Sequence, residues 1–139
     1  NKNEYQNIDM QRFIQRHGLD KFQMNPHLPV ISLQIIRGAV AADTAGYLEE
    51  YIDKILIHMW EEPKKMDDPE VIKAAFEESG LDADKLMNQM QDPEVKAKLI
   101  SNTEAAAERG VFGIPTFFVE DEMYFGKDNL WQVEEKLGE

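Results

Sequence analysis

The side chains that most often carry enzyme chemistry are sparse in this sequence. It contains no cysteine, which excludes a cysteine nucleophile and a disulfide within these residues. Its three histidines, His17, His27 and His58, lie in different segments and form no H-x-x-x-H pair, so we predict no metal site. We expect His27, between two prolines, to fix a loop, and His58 to pack near the end of a helix. The most informative stretch contains none of these residues: GVFGIPTFFV.

This stretch, Gly110 to Val119, raises a question about the backbone. The apolar run Thr116 to Val119 is typical of a buried strand, yet Pro115 precedes it and has no N–H to donate to a neighbouring strand. The backbone just before the proline is thereby left unpaired. Only about 5–6% of X–Pro peptide bonds are cis in folded proteins. The residues alone therefore favour an ordinary trans proline at the start of a strand.

A few charged residues occupy positions that invite a role. Asp128 opens the last predicted helix, and the sequence alone favours a plain helix N-cap for it. Lys2, close to the first residue of the chain, is by default a solvated lysine. Arg37 interrupts an otherwise apolar helix. We expect a buried acid as its partner, and a pocket for an aromatic carboxylate is the alternative.

Charge and composition limit the classes of function. The chain has 139 residues and a formal net charge of -12, which argues against general binding to nucleic acid or to an anionic membrane. A small anionic ligand is compatible with this charge because it needs only a local positive pocket. No stretch approaches the roughly twenty apolar residues of a membrane span. The absence of cysteine fits a reducing, cytoplasmic setting.

Residues 1–109 are predicted to form a helical domain. DPEV occurs twice, at Asp68–Val71 and at Asp92–Val95, and each copy places an aspartate cap, a first-turn proline and a glutamate at a helix start. Gly18, Gly80 and Gly110 are predicted helix ends. The segment YLEEYIDKILIHMWEE predicts an amphipathic helix. Its expected apolar face comprises Leu48, Tyr51, Ile52, Ile55, Leu56 and Met59.

Residues 110–139 are predicted to form a β-β-α unit. PTFFV and EMYF read as two strands joined by a tight turn at Glu120 and Asp121. The closing amphipathic helix is expected to turn Leu130, Val133 and Leu137 inward. Because two strands alone make a marginal sheet, we expect partner strands from residues outside this chain or from another copy, and we predict a homodimer.

Four motifs, in this order, resemble one protein family. They are NPHLP at Asn25–Pro29, RGAVAA at Arg37–Ala42, the long segment Asp92–Val119, and YFGKDNL at Tyr124–Leu130. Together they resemble the 2-hydroxychromene-2-carboxylate isomerases and kappa-class glutathione transferases, within the DsbA-like branch of the thioredoxin fold. The resemblance implies an α/β, thioredoxin-like fold: a C-terminal β-β-α part with a large helical insertion. Ile31 and Ser32 stand where the family usually has Asn-Thr.

The resemblance implies glutathione as the cofactor and assigns residues to it. Ile114 would pair through its backbone with the cysteinyl part of glutathione, and Pro115 would hold the bend as a cis proline. Asp128 would meet the γ-glutamyl amino group, and Lys127 would help to hold the adjacent carboxylate. Lys2 matches a family lysine that meets the glycine carboxylate.

The resemblance also implies a function that this chain carries only in part. It predicts a glutathione-dependent isomerase or transferase acting on a small electrophilic substrate, aromatic or similar. The family's first β-α-β unit, with its catalytic serine, has no counterpart here, so that serine would lie upstream of Asn1 and we expect this chain alone to be inactive. One alternative is a DsbA-like thiol–disulfide oxidoreductase with Cys-x-x-Cys upstream, although FGKDN favours the glutathione user. A second is a non-catalytic helical fragment for dimerisation or interaction.

Overall fold

The computed structural model describes residues 1–138, and its regular structure is helical up to the predicted hairpin. The chain divides into two compact units, Asn1–Ala97 and the residues from Lys98 onward. The boundary between the two units lies inside the helix Pro93–Glu108, whereas the first strand begins only at Thr116. The α-helices are α1 Lys2–His17, α2 Leu33–Ala45, α3 Leu48–Trp60, α4 Pro69–Glu78, α5 Ala83–Gln89, α6 Pro93–Glu108 and α7 Leu130–Leu137.

The helix starts at the two DPEV copies form as predicted. The Asp68 carboxylate accepts a hydrogen bond from the Glu70 N–H at 3.0 Å, and Asp92 accepts one from the Glu94 N–H at 2.8 Å. Each aspartate satisfies an amide that has no partner inside its own helix. The predicted ends are confirmed too, because Gly18, Gly80 and Gly110 have φ of 61°, 71° and 90°.

The core of the first unit is built around Tyr51 of α3. Its side chain is 1% exposed, and its hydroxyl donates to the Ile35 carbonyl of α2 at 2.7 Å. Gly38 of α2 lies against this hydroxyl, since a Cβ on Gly38 would be 2.2 Å from Tyr51 Oη. Burial raises the pKa of the Tyr51 phenol, which therefore stays a donor. The other large apolar side chains with almost no exposure are Phe76, Met66, Ile72, Leu86 and Met90.

The predicted apolar face of α3 is only half correct. Tyr51, Ile55 and Met59 are buried, whereas Ile52 is 40% and Leu56 48% exposed. Tyr51, Ile55 and Met59 recur at intervals of four along α3 and, with the buried His58 beside them, form a narrow stripe. Ile52 and Leu56 lie to one side of this stripe.

The loop between α1 and α2 is held by Asn25 and not by His27, contrary to prediction. Asn25 is 2% exposed, and its Nδ2 donates to the carbonyls of Met59 at 3.2 Å and Lys64 at 3.0 Å. Its Oδ1 accepts from the His27 N–H at 2.9 Å, whereas the His27 side chain is exposed. The buried Asn25 amide thus satisfies two backbone carbonyls, whereas the exposed His27 imidazole satisfies neither.

The second unit contains the predicted hairpin. Strands β1 (Thr116–Val119) and β2 (Glu122–Phe125) pair antiparallel, with Thr116 opposite Phe125. A 3₁₀ turn over residues 127–129 leads into α7. The inward orientation predicted for two leucines of α7 is wrong, because Leu130 is 39% and Leu137 71% exposed. Among the described residues from Lys98 onward none is buried, since a two-stranded sheet covers too little apolar surface.

Candidate functional site

The bend before β1 contains the predicted cis proline. The Ile114–Pro115 peptide bond is cis, which confirms the expectation drawn from the family resemblance. The Ile114 side chain is 89% exposed. Within residues 1–138, neither the N–H nor the C=O of Ile114 makes a hydrogen bond. An unpaired and exposed backbone of this kind is what an extended peptide needs in order to add as a further strand.

Two hydrogen bonds hold the bend in place. The Gly126 N–H donates to the Pro115 carbonyl at 2.9 Å, and the Thr116 hydroxyl donates to the Gly113 carbonyl at 2.6 Å. The first bond joins the bend to the turn that carries Lys127 and Asp128. The structure thus brings together four of the predicted glutathione-binding residues, Ile114, Pro115, Lys127 and Asp128.

Asp128 does not cap a helix, so that interpretation of the sequence is wrong. The residue lies inside the 3₁₀ turn, and Asn129 occupies the cap position of α7. Asn129 makes no side-chain capping bond to α7, and its amide donates to the Phe125 carbonyl instead. Its side chain is 78% exposed and accepts a hydrogen bond from Lys127 Nζ at 2.6 Å. A zwitterionic ligand could separate this pair, with its amino group on the Asp128 carboxylate and its carboxylate on the Lys127 ammonium group.

An aromatic wall, formed by Phe112 and Phe125, adjoins the bend and was not recognised in the sequence. The two ring centroids lie 4.7 Å apart at 49°, and Phe112 is 71% exposed. Gly113 permits this packing, because a Cβ there would lie 2.8 Å from the Phe125 ring. The first glycine of GVFG ends a helix, but only the structure explains the second. The wall offers apolar surface next to the unpaired Ile114 backbone.

The remaining cationic candidates belong to the first unit. Lys2 is the exposed first residue of α1, and its proposed contact with a carboxylate stays a prediction. Arg37 is half-buried on α2, and no acidic side chain within residues 1–138 pairs with it. Its Nε is buried without a hydrogen-bond partner. The predicted buried acid is therefore wrong for the residues that the structure describes.

His58 packs near the end of a helix as predicted, but it also makes polar contacts that the sequence did not indicate. The ring is 3% exposed, with Nε2 2.7 Å from Ser79 Oγ and Nδ1 2.7 Å from Lys64 Nζ. Burial, and then the positive charge of Lys64, lower the pKa of His58. Both partners lie beyond the helix that carries His58, so no local spacing pattern contains them.

The arrangement of a cis proline, a hairpin and a closing helix after a helical block defines a DsbA-like thioredoxin fold. The family model described as a DSBA-like thioredoxin domain matches residues 1–138, and the chain belongs to this family. The predicted fold class is thereby confirmed. No helix of the described residues is both long and apolar enough to cross a bilayer.

The named relatives agree with the resemblance seen in the motifs. The chain is 27% identical to a 2-hydroxychromene-2-carboxylate isomerase of Pseudomonas putida over 99% of its own length and 66% of the relative's. It is 30% identical to glutathione S-transferase kappa 1 of Homo sapiens over 89% of its own length and 62% of the relative's. A solved 2-hydroxychromene-2-carboxylate isomerase superposes with a TM-score of 0.85 at 26% identity, covering 99% of this chain and 66% of that one. The chain thus spans just under two thirds of the length of these relatives.

Proposed function

We propose that this protein binds glutathione along the backbone at Ile114 and serves an enzyme that isomerises or conjugates small electrophilic substrates, aromatic ones in particular. The observation that carries the proposal is the Ile114 backbone, which lies unpaired beside the cis Pro115 within the described residues. A tripeptide in extended conformation fits such groups because it offers the complementary N–H and C=O. The names of the isomerase and transferase relatives support the reaction class.

The charged residues of the same turn fit the ends of glutathione. The largely exposed Asp128 carboxylate would accept hydrogen bonds from the γ-glutamyl amino group. Lys127, which now donates to Asp128, would meet the neighbouring carboxylate. We keep Lys2 as the proposed partner of the glycine carboxylate. The proposal accounts for a cation and an anion side by side, which a zwitterionic amino-acid end requires.

In this proposal the residues of this chain bind and orient glutathione and the substrate. Glutathione supplies a thiol whose thiolate form is the nucleophile. Ile114, Asp128 and Lys127 hold the tripeptide in register, and Phe112 and Phe125 give apolar surface for the substrate. We propose that the hydroxyl that stabilises the thiolate comes from a serine upstream of Asn1, so this chain supplies half of the site and is inactive alone. We also propose a cytoplasmic homodimer, in which a further copy or further strands cover the hairpin.

The binding proposal is tested by titrating the ¹⁵N-labelled protein with reduced glutathione and following its amide resonances by NMR. The amides of Ile114, Lys127 and Asp128 should shift together and saturate. Asp128→Ala should weaken binding by about tenfold, the effect of losing one charge-assisted hydrogen bond. Because Asp128 is no cap, this change should alter the free energy of unfolding by less than about 0.5 kcal/mol. Asp121→Ala, in the exposed turn of the same hairpin, is the matched control and should bind like the parent protein.

Shifts that avoid the Ile114 amide, or equal affinity in Asp128→Ala and Asp121→Ala, would refute the proposed site. A thiol–disulfide oxidoreductase is the second candidate, favoured by the DSBA-like family model alone. Residues 1–139 contain no cysteine, so its redox pair would have to lie elsewhere in the native protein. A thiol titration and an intact mass of the native protein distinguish this candidate, and also the non-catalytic fragment, from the glutathione enzyme.

A further inference from the structure

Three potential metal ligands converge at the junction of α3 and α4 in the first unit. His58 lies in the last turn of α3, Glu62 follows that helix, and Glu78 is the last residue of α4. One donor atom from each of the three side chains lies within 4.8 Å of the other two. Glu62 lies just beyond the end of α3, and Glu78 is brought in by the packing of α4, so the fold places these donor atoms together.

The surroundings of His58 fix the tautomer of its ring. A lysine ammonium can only donate, so Nδ1, 2.7 Å from Lys64 Nζ, is the acceptor and carries the lone pair. Nε2 then bears the proton and donates to Ser79 Oγ at 2.7 Å. Histidines that bind metals use the same arrangement, in which a hydrogen bond from the second nitrogen fixes the ring and its tautomer. The 3% exposure of His58 keeps the ring in this orientation.

A positive charge already lies between two of the three donors, His58 and Glu78. Lys64 Nζ lies 2.7 Å from His58 Nδ1 and 2.5 Å from Glu78 Oε2. The Lys64 side chain is 27% exposed and the Glu78 side chain 55%, so a route for exchange with solvent exists. An imidazole nitrogen and two carboxylates are a donor set that suits Zn²⁺, which binds each of them at roughly 2.0–2.2 Å.

We propose that His58, Glu62 and Glu78 form a binding site for a divalent transition-metal ion such as Zn²⁺, which enters by displacing the Lys64 ammonium group. The two glutamates lie on the surface and can close in on the ion, whereas His58 needs no movement. One coordination position stays open to water, because the three side chains supply three of four tetrahedral ligands. The site lies wholly within the first unit and is independent of the proposed glutathione site.

Titration of the protein with Co²⁺, followed by visible absorption, and with Zn²⁺, followed by calorimetry, tests the site. One ion per chain should bind, with the Co²⁺ absorption of a four-coordinate site. Lys64→Met removes the competing ammonium group while keeping the aliphatic stem, and it should tighten binding by about tenfold. Lys54→Met, on α3 and paired with Glu50, is the matched control and should leave the affinity unchanged.

Glu62→Gln and Glu78→Gln remove ligands at exposed positions, so both variants should fold as judged by circular dichroism. Each should weaken Zn²⁺ binding by at least about a hundredfold, because changes outside the ligands alone cost roughly 10–100-fold. His58→Gln should abolish the Co²⁺ spectrum, whereas His17→Gln, at an exposed position, should keep it. The proposal is overturned if the parent protein binds no ion, or if binding persists unchanged in Glu62→Gln and Glu78→Gln.

Discussion

Replacing Gly38 by alanine probes the closest approach between α2 and α3. A Cβ on Gly38 would lie 2.2 Å from Tyr51 Oη and 2.8 Å from Tyr51 Cζ, well inside van der Waals contact. The Tyr51 ring has no open side, because it is 1% exposed and packs 5.9 Å from the Phe76 ring. Its hydroxyl is also held by the Ile35 carbonyl at 2.7 Å. The methyl group therefore has to push α2 outward or break this hydrogen bond.

The size of the effect follows from three contributions to the free energy of unfolding. Overpacking a core costs about 1–3 kcal/mol. The buried Tyr51 hydroxyl, left without its acceptor, costs about 1–3 kcal/mol more. Alanine's better helix propensity offsets about 1 kcal/mol of this loss. We expect Gly38→Ala to lower the free energy of unfolding by about 3 kcal/mol, with bounds of about 1 and 5 kcal/mol.

Urea unfolding followed by circular dichroism at 222 nm measures the change. Ala74→Gly, at an exposed interior position of α4, calibrates the propensity contribution and should cost about 1 kcal/mol. In a Tyr51→Phe background the alanine should cost less, because the atom at 2.2 Å is gone while the one at 2.8 Å remains. The reasoning is refuted if Gly38→Ala equals or exceeds the parent protein in stability, as a glycine in open space would predict.

Three further predictions concern stability. The folded-state pKa of His58 lies below the ordinary 6.5, so the unfolded chain takes up its proton first and stability should fall as the pH drops below 6.5. In His58→Gln the urea midpoint should depend less on pH between 7.5 and 5.5 than in the parent protein. If His58→Gln and His17→Gln show the same pH dependence, protonation of His58 is not its cause. Asn25→Ala should cost about 2–4 kcal/mol, because the buried Met59 carbonyl loses its donor, and the Lys64 carbonyl and the His27 N–H each lose one partner. A loss under about 1 kcal/mol would show that water replaces the amide. Asp68→Ala should cost about 1 kcal/mol and Asp68→Asn much less, and equal losses would argue against capping.

What the sequence predicts well is what neighbouring residues decide. A DPEV segment contains the cap, the first-turn proline and the acidic residue of its own helix, so Asp68 and Asp92 are found without knowledge of the fold. The hairpin is equally local, since its turn joins two four-residue strands. The cis bond at Pro115 needed the resemblance as well, because the residues alone favour trans.

What the sequence does not predict depends on partners far along the chain. Asn25 binds the carbonyls of Met59 and Lys64, 34 and 39 residues away, and nothing near Asn25 indicates this. His58 meets Ser79 only because α3 and α4 pack side by side. The prediction that Asp128 is a helix N-cap is wrong for a different reason. Cap preferences describe where a helix begins, and the 3₁₀ turn moves the beginning of α7 beyond this aspartate.

The fit between Gly113 and Phe125 has a consequence for how this site can change during evolution. The space that a side chain at position 113 would need is filled by the ring at position 125. The two positions are therefore expected to vary as a pair, with a smaller residue at 125 wherever 113 gains a side chain. Across homologous proteins, the shape of the surface beside the bend would then switch between two alternatives and would not drift gradually.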